Sequence, residues 1–309
     1  MAKKTGHKGI YIDPLTDFGF KRLFGDKDLM IDFLTDVLNI KDGITNITYS
    51  NTVITGISKD DRTAIFDLYC TTGNDEHIIV EMQAVPHKNY KERTVYYGSR
   101  LIQEQSKRGK DWDFTLTPVY LINIVDFIVD EHLKEKQYLS RIQLMYTDIL
   151  QPYYDKLTII YLELPLFTKK ITELKTNLDH WMYALKYLPK LARLPAVMRT
   201  GIFTRLFDLA KIAKMTKRQQ NAYYKSLHDM NIIKHTINDL QSTIAALQSK
   251  YTDQGNTIVK QGNTIAVLQS NNATLQSNNA AQAQELDEYR RRYGALNGSI
   301  AKPDVNKST

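Results

Sequence analysis

The chain has 309 residues, 42% of them hydrophobic and 24% charged, which is globular composition and excludes wholesale disorder. Its one cysteine, Cys70, excludes an internal disulfide framework and a cysteine-rich zinc site, and points to a reducing, cytoplasmic setting. The net charge of +7 is uneven: residues 190–230 carry nine Lys/Arg against two Asp/Glu, a bias that suits either a polyanionic partner or a solvated helix face.

The N-terminus is basic but is followed by no apolar core, so no secretory signal is expected. The longest apolar stretch, Val119 to Val129, is interrupted by Asn123 and Asp126. A spanning helix needs about 20 apolar residues, so no membrane segment is expected.

Residues 15–38 place Phe20, Leu23, Phe24, Ile31, Leu34, Val37 and Leu38 at helical spacing, and Gly43 follows. Strand-like runs come next at 44–57, 63–72 and 77–85, where Pro86 stops the third. Residues 88–109 read as a helix; 118–129 and 157–164 read as strands. This order gives a mixed α/β domain over 1–165. A helical, basic segment is expected over 166–229, with Phe203, Leu206, Phe207, Leu209 and Ile212 as its core and a hint of a helix-turn-helix around Ala210–Ala213.

From 230 to 293 apolar residues follow a 4-3 spacing: Ile233, Ile237, Leu240, Ile244, Leu247 and onward to Leu286, Tyr289 and Tyr293. That is the pattern of a coiled-coil stalk, which makes a homo-oligomer the expected state. Gln254–Ile258 recurs at Gln261–Ile265, and Leu268–Ala273 recurs at Leu275–Ala280; a seven-residue duplication keeps the seam in phase. Asn272 and Asn279 within the seam, and Gly255 and Gly262 beside it, weaken the stalk. Residues 294–309 read as a polar, frayed tail.

Two short strands carry the chemistry. Ile65-Phe66-Asp67-Leu68-Tyr69-Cys70 and Ile78-Ile79-Val80-Glu81-Met82-Gln83 each hold an acid among apolar residues, and Thr72–Glu76 between them has turn composition. A hairpin centred on Asn74 sets Asp67 directly across from Glu81, with side chains roughly 4.5–5.5 Å apart at Cβ. Gln83 shares their face and Cys70 takes the other. Two carboxylates so close repel, and a hard divalent cation resolves the conflict by binding both. The alternative is that one acid turns to solvent. The seven histidines form no close pair that would suggest zinc.

These residues resemble the PD-(D/E)XK nuclease superfamily, and more fully its Rpn branch, the recombination-promoting nucleases also labelled PD-(D/E)XK family transposases. The matching segments are Asp13-Pro14-Leu15-Thr16-Asp17-Phe18-Gly19-Phe20-Lys21-Arg22-Leu23-Phe24-Gly25, Phe66–Cys70, Val80–Gln83, Arg93 with Tyr96-Tyr97, Pro118–Tyr120 and Ile124–Phe127. They span roughly residues 9 to 230. The resemblance implies a restriction-endonuclease-like core, a mixed sheet flanked by helices, and metal-dependent hydrolysis of DNA phosphodiesters linked to recombination or mobile elements.

By the same resemblance Asp67 and Glu81 hold Mg²⁺ or another divalent cation, and Asp17 reaches it through water; alternatively Asp17 only serves the start of its helix. Gln83 stands where the superfamily usually has lysine, and an amide cannot act as a general base. Lys88 or Lys91 is a candidate for the missing charge. Arg93, Tyr97 and Arg100 follow helical spacing as a DNA-facing set, although Arg100 and Glu104 also fit an ordinary i,i+4 pair. Lys211, Lys214, Lys217 and Arg218 are further DNA-contact candidates. The rival reading is a non-catalytic DNA- or protein-binding module whose valency is set by its stalk.

Overall fold

The protein is described by a computed structural model over residues 9–54, 64–106 and 113–294. The helical stretch expected over 15–38 folds as two helices, α1 (Asp17–Phe24) and α2 (Lys27–Leu38). The interruption is local. Gly25 ends α1, and the Asp26 carboxylate accepts from the Leu29 N–H to start α2. Thr16, not Asp17, caps α1, its hydroxyl accepting from the Gly19 N–H at 3.0 Å. Any side chain at position 19 would run into the Asp13 carbonyl, which accounts for glycine in the Asp17-Phe18-Gly19 sequence.

The strands are β1 (Ile47–Tyr49), β2 (Val53–Ile54), β3 (Ala64–Ile65), β4 (Leu68–Thr72), β5 (His77–Gln83), β6 (Val119–Val125), β7 (Leu139–Tyr146) and β8 (Gln151–Glu163). Six of them form one sheet in the order β1-β4-β5-β6-β8-β7, and β2 with β3 forms a separate two-stranded ladder. β5, β6 and β8 run parallel, while β1, β4 and β7 are added antiparallel at the two sides. The near-continuous apolar sequence of β6 suits a strand covered on both faces. The sequence reading lacks β7, and β8 begins six residues earlier than expected, at Gln151. The ends of the expected 44–57, 63–72 and 88–109 elements, and almost all of the tail, lie outside the described residues.

One face of the sheet packs on α1, α2, α4 (Asn177–Tyr187) and α5 (Gly201–Ala210). Phe24, Phe33, Trp181 and Phe203 meet there with ring centroids 4.8–5.7 Å apart. Each such buried ring contributes about 1.5–3 kcal/mol. The helices α4 and α5, from the segment expected as separate and basic, therefore share this core with α1 and α2. Phe203, Leu206, Phe207 and Ile212 are buried in it.

The opposite face packs on α3 (Tyr90–Glu104). Two features seat that helix. Gly98 lies against β6 and β8 so closely that an added Cβ would sit 2.9 Å from Leu121 Cδ1 and 3.3 Å from Leu157 Cδ1. Asn123, buried within β6, accepts from the Tyr90 hydroxyl at 2.9 Å and donates to the Leu121 and Ile160 carbonyls.

Helix α6 runs from Lys217 to Tyr293, and the chain divides into compact units at 1–236 and 237–309. The first part of α6 thus belongs to the α/β unit, where Lys234 pairs with Asp126 at 2.7 Å. In the second unit the large apolar seam residues from Leu240 onward are bare, from 49% exposed at Leu247 to 72% at Tyr251. Among the described residues no helix is long and apolar enough to cross a membrane.

Candidate active site

The β4–β5 ladder pairs Leu68 with Val80 and Thr71 with His77. Continued by one residue, this register sets Asp67 opposite Glu81, as a turn centred on Asn74 requires. Asp67 nevertheless lies outside the strand. β3 leaves to pair with β2, and the chain bends at Asp67 before β4 begins. Side chains explain the break. The Asp67 N–H donates to Glu81 Oε1 at 3.1 Å, and the Met82 N–H donates to Asp67 Oδ2 at 2.9 Å. Each acid takes a backbone donor from the other's strand, so carboxylates replace carbonyls as acceptors at this point.

The second Glu81 oxygen, Oε2, accepts from Arg93 Nη2 at 3.0 Å. Arg93 in turn donates from Nε to the Tyr97 hydroxyl at 3.0 Å, and its guanidinium lies 5.0 Å from the Tyr97 ring centre. The sequence reading missed the Arg93–Glu81 pair, because the i,i+4 spacing of Arg93 and Tyr97 signals their mutual contact but not a partner across the sheet. Arg93 is the cation beside Glu81. Lys88 is exposed, and Lys91 pairs with Asp130 at 2.6 Å.

Electrostatics follow from this packing. Burial pushes the Glu81 carboxyl well above the usual range, and the like charge of Asp67 adds to it, against the opposing pull of Arg93. Burial likewise raises Asp67, against the Met82 N–H and Lys21. Burial and mutual repulsion thus favour a proton on the pair, and ionising both acids together calls for a cation beyond Arg93, which pairs with Glu81 alone.

Gln83, the last residue of β5, is half-buried and close enough for its side chain to act on the Glu81 carboxyl. It lines a groove of about 490 Å³ together with Asp17, Phe18 and, from α6, Lys225 and Ser226. Asp17 sits in the first turn of α1, largely exposed, and pairs with Lys21 at 2.6 Å. Among the described residues no three His, Cys, Asp or Glu side chains come together as a ready metal cage. The structure therefore brings Asp67 and Glu81 into contact and leaves Asp17 at the groove.

The remaining candidates separate. Arg100 is buried and donates to Gln103 at 2.7 Å, so it turns away from the solvent face. Lys211 and Lys214 both engage Asp208. Lys217 and Arg218 open α6 and are exposed, with no ion pair among the described residues. Cys70 is buried in the other face, its thiol pushed up to about 12 by burial, which leaves it unreactive.

A family model described as PD-(D/E)XK nuclease family transposase matches residues 14–237. The chain belongs to that family. No curated protein and no solved structure matches it. The family match takes in Asp17, Asp67, Glu81, Gln83 and Arg93, and it ends where the α/β unit ends. A mixed sheet between helical layers is the architecture that the nuclease resemblance implies. The bare seam beyond residue 237 lies outside the match.

Proposed function

We propose that this PD-(D/E)XK nuclease family transposase is a divalent-metal-dependent endodeoxyribonuclease acting in recombination or the movement of mobile elements. The observation that carries this is the Asp67–Glu81 contact: a half-buried and a buried carboxyl tied together through the Asp67 and Met82 N–H groups, with Arg93 paired to Glu81 alone. Adjacent hard oxygen donors that ionise together only at a cost suit Mg²⁺, which commonly takes one or two carboxylates and completes its shell with water and phosphate oxygens. The residues therefore fit such an ion without a third protein carboxylate. Asp67 and Glu81 would hold it, with Asp17 at the groove as an outer carboxylate acting through water.

When bound, the ion polarises the scissile phosphate and lowers the pKa of a water. Gln83 can orient the attacking water through its amide but takes no proton from it. Arg93, beside Glu81, would offer its guanidinium to a phosphate oxygen, a geometry that guanidinium favours. Lys217 and Arg218 add exposed positive charge for the DNA backbone.

A nicking assay on supercoiled DNA with Mg²⁺ or Mn²⁺ tests the reading. Wild type should cleave and Asp67→Ala should fall by about three orders of magnitude, on the scale of a lost charge-stabilising group. Equal cleavage by both would sink the assignment. It would leave the non-catalytic binding module, which the Arg93 pairing and the amide at Gln83 favour.

The seam residues of 230–293 favour assembly of several copies. A chain ending at Thr236 keeps the Lys234–Asp126 pair and should sediment as a folded unit of lower mass than the full-length assembly. An unchanged assembly size would remove the stalk from the oligomer.

A further inference from the structure

Arg93 does more than meet Glu81. It also lines a cavity of about 500 Å³ with Ile65, His87, Asn89, Glu92, Tyr96 and Tyr97. Ile65 is an aliphatic side chain 60% exposed on a strand, facing this space with two half-buried tyrosines. Asn89 stands at the N-cap position of α3, yet its side chain makes no capping bond. An asparagine there usually accepts from the first turn, so among the described residues its amide keeps both donor and acceptor for another partner.

Aliphatic and aromatic walls accept the flat face of a nucleobase. A side-chain amide matches a base edge with one donor and one acceptor. The volume falls in the range that holds a small ligand, about 300–1,000 Å³. Arg93 joins this cavity to the carboxylate pair through a 3.0 Å contact, so whatever fills it lies one residue's reach from Glu81.

We propose that this cavity binds one unstacked nucleoside of a DNA strand, next to the phosphate presented to Asp67 and Glu81. The proposal rests on the nuclease reading and deepens it by naming a substrate class. A base inside a regular duplex is stacked on both sides and cannot enter, so the preferred DNA has an unpaired or unstacked nucleotide beside the cleaved bond.

The test is binding of the full-length protein to fluorescent DNA in EDTA, where cleavage is suppressed. A single abasic position, phosphate retained, is moved along a single-stranded oligonucleotide. Wild type should lose roughly tenfold in affinity at one position, the scale of one lost base stack. Ile65→Ser and Asn89→Ala, both surface changes that leave the core alone, should bind the intact strand like the abasic one, as should Tyr96→Ala. A duplex with one unpaired nucleotide should bind more tightly than its fully paired counterpart. Wild-type indifference to the abasic position overturns the proposal. So does a loss in the variants that is equal for intact and abasic strands, since that is the behaviour of a phosphate site. Base-dependent binding in a protein that cleaves nothing would keep the pocket and remove the nuclease reading; cleavage without base dependence would do the reverse.

Discussion

Asp179 and the Asp67–Glu81 pair are both buried carboxyl sites, and the fold treats them in opposite ways. Asp179 accepts from Lys169 Nζ at 2.5 Å and the Tyr138 hydroxyl at 3.1 Å on one oxygen, and from the Lys175 and Thr176 N–H groups at 2.9 and 3.2 Å on the other. Burial alone would raise its pKa, but these four donors outweigh burial and hold it at about 2. Asp67 and Glu81 have fewer donors and each other's charge, and both are raised. A carboxylate whose every lone pair is engaged is a structural joint. A pair that holds a proton through burial and mutual repulsion can exchange it for a metal cation.

Substitution separates the two most sharply. Asp67→Ala should lower cleavage by about three orders of magnitude with the fold intact, and its metal-free form should be slightly more stable because a like-charge contact is gone. Asp179→Ala should do the opposite: it leaves two backbone donors and the Tyr138 hydroxyl without their acceptor, costing about 1–3 kcal/mol, with cleavage per folded molecule unchanged. Urea unfolding beside the nicking assay reads both. If Asp179→Ala lost activity while keeping its stability, the division between the two sites would collapse.

The pH dependence should also differ in sign. A raised carboxyl keeps a proton in the folded state that the unfolded chain releases. Asp67 and Glu81 therefore cost the metal-free protein stability as pH rises above the usual carboxylate range. A divalent cation should restore that stability, and Glu81→Gln should flatten the slope. Asp179 contributes stability above the ordinary Asp value of 3.8, which is lost as pH falls toward 2. Thermal melts from acid to neutral pH, with and without Mg²⁺, would show whether two opposite limbs exist.

Smaller effects sharpen the site itself. Gln83→Ala should lower cleavage less than Asp67→Ala, and Gln83→Lys should maintain or raise it, since a cation beside the phosphate supports the same charge. Rates below those of Asp67→Ala for either variant would make the amide essential. Finest of all is the basic segment. Charge reversal of Lys217 and Arg218 should flatten the salt dependence of DNA binding by about two slope units, at ~0.9 per phosphate contact. Reversal of Lys211 and Lys214 should change it less, because Asp208 already engages both. Equal effects would show that the Asp208 pairs give way to DNA.

The sequence carried the register of the site in full, because a turn centred on Asn74 leaves Asp67 and Glu81 equidistant from it. It did not carry the bend at Asp67. Apolar alternation continues through Ile65–Cys70, and only the exchange of backbone donors with Glu81 and Met82 breaks the strand. β7 was illegible for a similar reason: its apolar residues Ile142, Leu144 and Met145 are each more than 40% exposed, so no buried face marks it. Arg93 was singled out by spacing, but its pairing with Glu81 joins a helix to a strand 12 residues away in the chain, a relation that only packing supplies.

The missing side chain at Gly98 sets how near α3 lies to the sheet, and Arg93 stands on that same helix. With Leu121 and Leu157 already at contact distance, a methyl group there must displace leucine side chains or lift the helix. Lifting α3 would draw the guanidinium back from Glu81 and widen the cavity shared by Ile65 and the two tyrosines. A hydrogen atom at position 98 thus acts as a gauge block. It fixes the clearance between cation and carboxylate from more than a full helical turn away.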